Sequence, residues 1–135
     1  MTSPGLALQQ AMRSALLARG ELKTLLGGAN IHDELPRGAR PPYVAFTALE
    51  TRDWSTADQK AHEHFVTIEI ATNSRSRDDA QEIAQAIEST LDSVSLALEG
   101  HALVNLRVIF SNVTRTRSTE NFGAVLRFRA ATEPI

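Results

Sequence analysis

Cysteine is absent from the 135 residues, which excludes disulfides, thiolate metal sites and cysteine nucleophiles. Aromatic residues make up only 5% of the chain, a poor supply for a surface that stacks nucleic-acid bases. No run of about 18 apolar residues occurs, so no membrane-spanning helix is expected. Neither sign of charge dominates: 14 Lys and Arg stand against 16 Asp and Glu, a formal charge of -2, and the chain as a whole has no attraction for nucleic acid or anionic lipid. The start Met1-Thr2-Ser3-Pro4 lacks the basic and apolar segments of a secretory signal, so the expected location is the cytoplasm. What is present is ordinary for a globular domain: 42% hydrophobic and 22% charged residues, in a length that suits one domain spanning 1–135.

Ser3 before Pro4 is a helix start, since the hydroxyl accepts from an unpaired amide and proline is tolerated at the first helical position. Leu8, Met12, Ala15 and Leu16 then recur at helical spacing to about Ala18. Leu22, Leu25 and Leu26 add another turn or two before Gly27-Gly28 stops them. From Ala29 to Pro42 the chain is a connecting arm, in which Pro36, Pro41 and Pro42 argue against helix or central strand. Tyr43 to Glu50 reads as a strand, and residues 62–72 alternate with His64, Val66, Ile68 and Ile70 on one face. The polar stretch 51–60 between them is a long hairpin loop. Ser76 with Asp79 three residues on resembles a capping box. Ala80, Ile83, Ala84, Ile87 and Leu91 then form the stripe of an amphipathic helix, with Val94 beyond it. Two more alternating strands follow, one with Val104, Leu106, Val108 and Phe110 on one face, the other with Ala124, Leu126, Phe128 and Ala130. A polar turn near Glu120-Asn121 joins them. The expected class is α+β, an antiparallel sheet of about four strands with the helices packed on one face.

Chemistry is sparse. His62 and His64 share a strand face about 7 Å apart, enough for two ligands of a zinc ion, but no third ligand is nearby and His64 continues an apolar face. His32-Asp33-Glu34 lies among prolines and suits turn capping better than acid-base work. There is no Gly-x-Ser-x-Gly elbow, and Gly27-Gly28 is followed by a turn segment, not by a phosphate-binding helix. Charge is unevenly spread: residues 101–135 carry 5 arginines and 2 acids, whereas 1–100 carry 9 basic and 14 acidic groups. Arg115 with Arg117, and Arg127 with Arg129, have the spacing of one strand face, and such a basic row could contact nucleic acid but is better suited to carboxylates of a neighbouring subunit or to solvent. Trp54, alone in a polar loop, is either folded back on the core or an exposed binding anchor.

The arm Ala29-Asn30-Ile31-His32-Asp33-Glu34-Leu35-Pro36-Arg37-Gly38-Ala39-Arg40-Pro41-Pro42-Tyr43-Val44 resembles the tail-terminator, or tail-completion, proteins of long-tailed phages and gene transfer agents. In that family an N-terminal helical region leads to an Ile-aromatic-Asp turn, a proline and a Pro-Tyr-Val strand start. The Asp53-Trp54-Ser55 loop, the strand at 62–72, the following helix and the final Leu126-Arg127-Phe128-Arg129-Ala130 strand have counterparts too, so the resemblance covers nearly the whole chain. His32 departs from it, standing where Tyr is common, as does Asn30 where a basic residue is common.

The resemblance implies structural work without catalysis, metal or cofactor. Its members form a homo-hexameric ring that caps the tail tube after its length is set and presents its other surface to the neck of the head. The implied partners are further copies of the chain, the tail tube protein and a neck or head-completion (stopper or adaptor) protein. DNA only passes through the lumen, and no membrane is involved. Assembly in the cytoplasm would place the protein at the head-tail junction of a virion or gene transfer agent particle. On this basis the interface residues are Arg37 and Arg40 in the arm, Arg52, Asp53, Trp54 and Lys60 around the hairpin loop, and Arg115, Arg117, Arg127 and Arg129. Three other readings stay open: a head-tail connector or stopper, a small nucleic-acid-binding module using the region from Arg115 to Arg129, and a small enzyme using His62 or His64.

Overall fold

A computed structural model describes residues 2–135, along which nine elements follow one another. Helices α1 (Pro4–Leu17) and α2 (Gly20–Leu26) come first, then strands β1 (Ile31–His32), β2 (Tyr43–Asp53) and β3 (His62–Ala71). Helix α3 (Arg77–Leu91) and strands β4 (Ala97–Leu98), β5 (His101–Arg115) and β6 (Phe122–Pro134) complete the chain. The strands form one sheet in the order β1-β2-β3-β6-β5-β4.

The α+β class holds, and the four long strands are antiparallel neighbours. The expected count of four is corrected to six, and the sheet is mixed because β1 runs parallel to β2. Both added strands have two residues, too few for alternation to show. β1 forms at the start of the arm because all three arm prolines follow it, and it ties Ile31 beside Val44.

Capping follows the local chemistry. Leu6 N donates to Ser3 Oγ (3.2 Å), and Pro4 opens α1. Gly27 takes the left-handed C-cap conformation (φ 70°) that ends α2. At α3 the Ser76 hydroxyl accepts from Asp78 N (3.3 Å), while Ser76 N donates to Ser74 Oγ (2.9 Å). That second bond takes the amide which a capping-box acid would accept from, so the expected role of Asp79 is corrected: it does not complete a box.

All three helices lie on one face of the sheet. Leu8, Met12 and Leu16 of α1, Leu22 and Leu26 of α2, and Ile83, Ile87 and Leu91 of α3 pack with Val44, Phe46, Val66, Ile68, Leu106, Leu126 and Phe128 in one continuous core. Gly123 lets β6 meet β3 closely at one end, since a Cβ there would stand 2.7 Å from the Ile70 carbonyl oxygen.

The expected alternation of β5 is corrected by two bulges, at Val104 and Ile109, where the register to β6 skips one residue. Each bulge shifts the phase. Leu106 stays buried, but Val104 is 50%, Ile109 49% and Phe110 46% exposed. Phe110 stands opposite Arg127 on the uncovered face. A third bulge, at Thr47, divides β2. β2 also runs further than Glu50, through Asp53, which shortens the hairpin loop to 54–61.

Candidate functional site

Among the described residues no layer covers the sheet face away from the helices, and its rows can be read from the register. Glu50, Phe65, Arg129 and Arg107 form one row, and Ala48, Thr67, Arg127 and Phe110 the next. Strand pleating fixes this gathering, because residues two apart share a face and paired positions stand side by side.

Arg129 is its best-anchored side chain. Its Nε donates to Glu63 Oε2 (2.8 Å) and its NH1 to Asn105 Oδ1 (3.4 Å), while its guanidinium lies 5.1 Å from the Trp54 ring centroid. Trp54 is therefore neither core packing nor a bare anchor: it stacks on Arg129 with half its surface exposed. Arg52 lies 5.3 Å from the Phe65 ring and donates to Glu50 (2.9 and 3.1 Å). Arg127 has no ion pair or hydrogen-bond partner among the described residues. Arg107, which sequence reasoning passed over, stands directly across from Arg129. Alternation with Leu106 and Val108 puts it on this face, and the strand register alone sets it across from Arg129.

The expected basic row divides. Arg127 and Arg129 share the bare face, but Arg115 is opposite Phe122 at the end of the hairpin, 5.0 Å from that ring, and Arg117 is exposed in the turn beyond. Arg37 and Arg40 are exposed in the arm that leads into Tyr43. Since Tyr43, Ala71, Gly123 and Thr114 share a row, Arg37, Arg40, Arg115 and Arg117 belong to one end of the strands. Asp53, His62, Thr132 and Leu103 mark the other end, where Trp54 and Lys60 sit. The loop there is held by its own bonds: Trp54 N to Ala61 O (2.9 Å), Thr56 N to Gln59 O (2.8 Å) and Ser55 N to Asp53 Oδ1 (3.0 Å).

His64 is no ligand. It is fully buried, its Nδ1 bonded to Thr51 Oγ1 and its Nε2 to Thr132 Oγ1, both at 2.9 Å. Burial first, then the neighbouring His62 and His101, lowers its pKa from 6.5 to about 4. Among the described residues no three His, Asp or Glu side chains gather as a metal site, and no helix is long and apolar enough to cross a membrane. His32 rests edge-on to Tyr43, and Asp33 lies 3.9 Å from Arg13, so these two serve packing and pairing at the sheet edge, while Glu34 is exposed.

Comparison with known proteins agrees with the resemblance carried by the arm. A chain described as part of the virion of a native gene transfer agent particle superposes with a TM-score of 0.84 at 26% identity, covering 93% of this chain and 94% of that one. Comparison with curated protein sequences gave no match. The family model described as tail completion protein gp17 matches residues 10–133. The chain belongs to the tail-completion protein gp17 family, whose members are structural proteins of phage tails and related particles.

Proposed function

We propose that this protein is a tail terminator: a ring of six copies that caps the finished tail tube and joins it to the neck of the head. The observation that carries this reading is the match in both sequence and shape over nearly the whole chain, including the same length of chain in a particle of this kind. The bare face and the two strand ends supply what such a part needs. A closed ring joins its subunits head to tail through two different patches of one chain, and each ring also offers two unlike faces. Arg37, Arg40, Arg115 and Arg117 at one end of the strands, with Trp54 and Lys60 at the other, are the proposed contacts to the tail tube and to the neck protein. The four arginines at the first end favour encounter with an acidic partner more than tight burial, whereas at the other end Asp53 and Asp58 outnumber Lys60. The function is mechanical and needs no catalytic step, cofactor or metal. The protein is proposed to assemble in the cytoplasm before joining the particle.

Light scattering on a sizing column, alone and with tail tubes of the same particle, tests the proposal. The expected species has a mass near six times 14.7 kDa and appears as rings in negative stain. A monomer at every concentration that also fails to collect on tube ends would overturn it.

A further inference from the structure

Each margin of the sheet is covered over only half its length. On the β2 side, β1 pairs with Val44 and Ala45, and beyond them residues 47–53 have no neighbour on their open side among the described residues. On the β5 side, β4 pairs with His101 and Ala102, Ser93 N donates to Leu106 O (2.7 Å), and Val108 N donates to Asp92 Oδ1 (2.9 Å). Residues 109–115 are open among the described residues. Unpaired edges of this length are templates for another strand, and elsewhere on both margins this chain blocks them.

Resting on the ring reading above, we infer that the open edge 47–53 of one copy pairs with the open edge 109–115 of the next, closing the sheets into one continuous wall with the helices outside.

Four features fit together. The first is direction: β2, β3, β6 and β5 alternate, so β2 and β5 run oppositely, and copies related by a ring axis bring them together antiparallel. Backbone phase is the second. The bonds from Trp54 to Ala61 and from Thr116 to Asn121 show that even-numbered amides at these ends face inward along the sheet. Leu49, Thr51 and Asp53 therefore turn their amides outward on β2, as Ser111, Val113 and Arg115 do on β5. Pairing Leu49 with Val113 and Thr51 with Ser111 matches these groups on the stretches beyond the bulges at Thr47 and Ile109.

Side chains are the third feature. That register sets Leu49 beside Val113 on the helix side, and Glu50 and Arg52 beside Asn112 and Phe110 on the bare side. It also carries Leu6, 47% exposed next to the Gly5 that packs on Leu49, toward the open groove between α3 and β5 of the neighbour, lined by Gln81, Gln85 and Ser111.

The fourth is stagger. Asn112 shares its row with Val125, Glu69 and Ala45 of its own chain, yet would face Glu50 of the neighbour. Discounting the Thr47 bulge, each copy is offset by four rows across its four long strands. One residue per strand is the shear of a closed barrel whose strands tilt by about 36°. The sign agrees as well. Twisted strands wind round a barrel as right-handed helices, and with the right-handed crossover that β3-α3-β5 units take, the offset has that hand only if the helices face out. The bare face, with Arg107, Arg127 and Arg129 interspersed by Glu50, Glu63 and Glu69, then lines the channel. Six copies make about 24 strands and a wall roughly 45 Å across at the backbone.

Two variants test this in the naturally cysteine-free chain. Ser111→Pro removes only an outward-facing amide and leaves the β6 ladder whole. It is expected to keep the native circular dichroism spectrum and lose the ring, and a folded variant that still forms rings overturns the inference. In Glu50→Cys/Asn112→Cys, oxidation is expected to link copies into a covalent ladder ending at the ring, reversed by reductant, while each single variant stays unlinked. Rings of native size without cross-links would overturn the edge pairing and leave the ring reading standing. No ring from the native chain, alone or on tail tubes, would overturn that reading and this inference with it.

Discussion

His64 sits where β2, β3 and β6 meet, its two ring nitrogens shared between Thr51 and Thr132. A neutral imidazole satisfies one hydroxyl as donor and the other as acceptor, whereas an imidazolium would be a buried charge with no carboxylate among those partners. Its pKa of about 4, against 6.5 for a free imidazole, expresses that cost. The unfolded chain takes up a proton below pH 6.5 that the folded chain refuses until about pH 4, so the unfolded state binds more protons throughout that interval and stability rises with pH across it. The contribution is complete above pH 6.5 and is lost as pH falls through about 4, a span on the order of 3 kcal/mol. Urea unfolding midpoints measured from pH 4 to 7 should show this slope. A His64→Gln variant should lose most of it above pH 5, where carboxylates contribute little, and an unchanged slope would assign the dependence to other groups.

At the scale of elements, α3 isolates what a single cap contributes. Ser76 holds Asp78 N, whereas Asp79 accepts nothing from the Ser76 amide, which is bonded to Ser74. Ser76→Ala should therefore cost about 1 kcal/mol in urea unfolding, and Asp79→Ala only the few tenths due to the helix dipole. Equal losses would mean that a reciprocal box forms in solution. Elements of this kind were legible because their signals are local: Ser3-Pro4, Ser76, Gly27 and the alternation of β3 and β6 each announce themselves within a few residues. The phase of β5 was not. Val104 and Phe110 look like core positions of a regular strand, and only the partner strand decides that Val104 and Ile109 are the bulged residues. β1 and β4 were hidden for a related reason, since a two-residue strand exists only through its neighbour.

For the whole molecule, the ends of the sheet were legible as polar loops, and the arm carried the family. The face on which arginines meet was only half legible: Arg127 and Arg129 by spacing, Arg107 by its face but not by its partner, and Arg115 wrongly grouped with them. That face also decides between the ring and the nucleic-acid module. Arg129 is paired with Glu63, and Arg52 with Glu50, while Arg107 lies 3.9 Å from Asp92. Arg127 alone has no acidic partner among the described residues. A surface so neutralised offers one or two phosphate contacts per copy, so an isolated subunit in which the strand-end arginines Arg37, Arg40, Arg115 and Arg117 are replaced by Ser should bind duplex DNA with a log-log salt slope of only about -1 to -2, and at about 0.15 M salt should not shift it at about 10 μM protein. Such weakness is what a channel needs, because DNA that is held does not pass. Fluorescence anisotropy with a labelled duplex from 0.05 to 0.2 M salt measures both quantities. A slope steeper than about -5, with micromolar affinity at the higher salt, would mean that the acids do not mask the arginines and would favour the DNA-binding module.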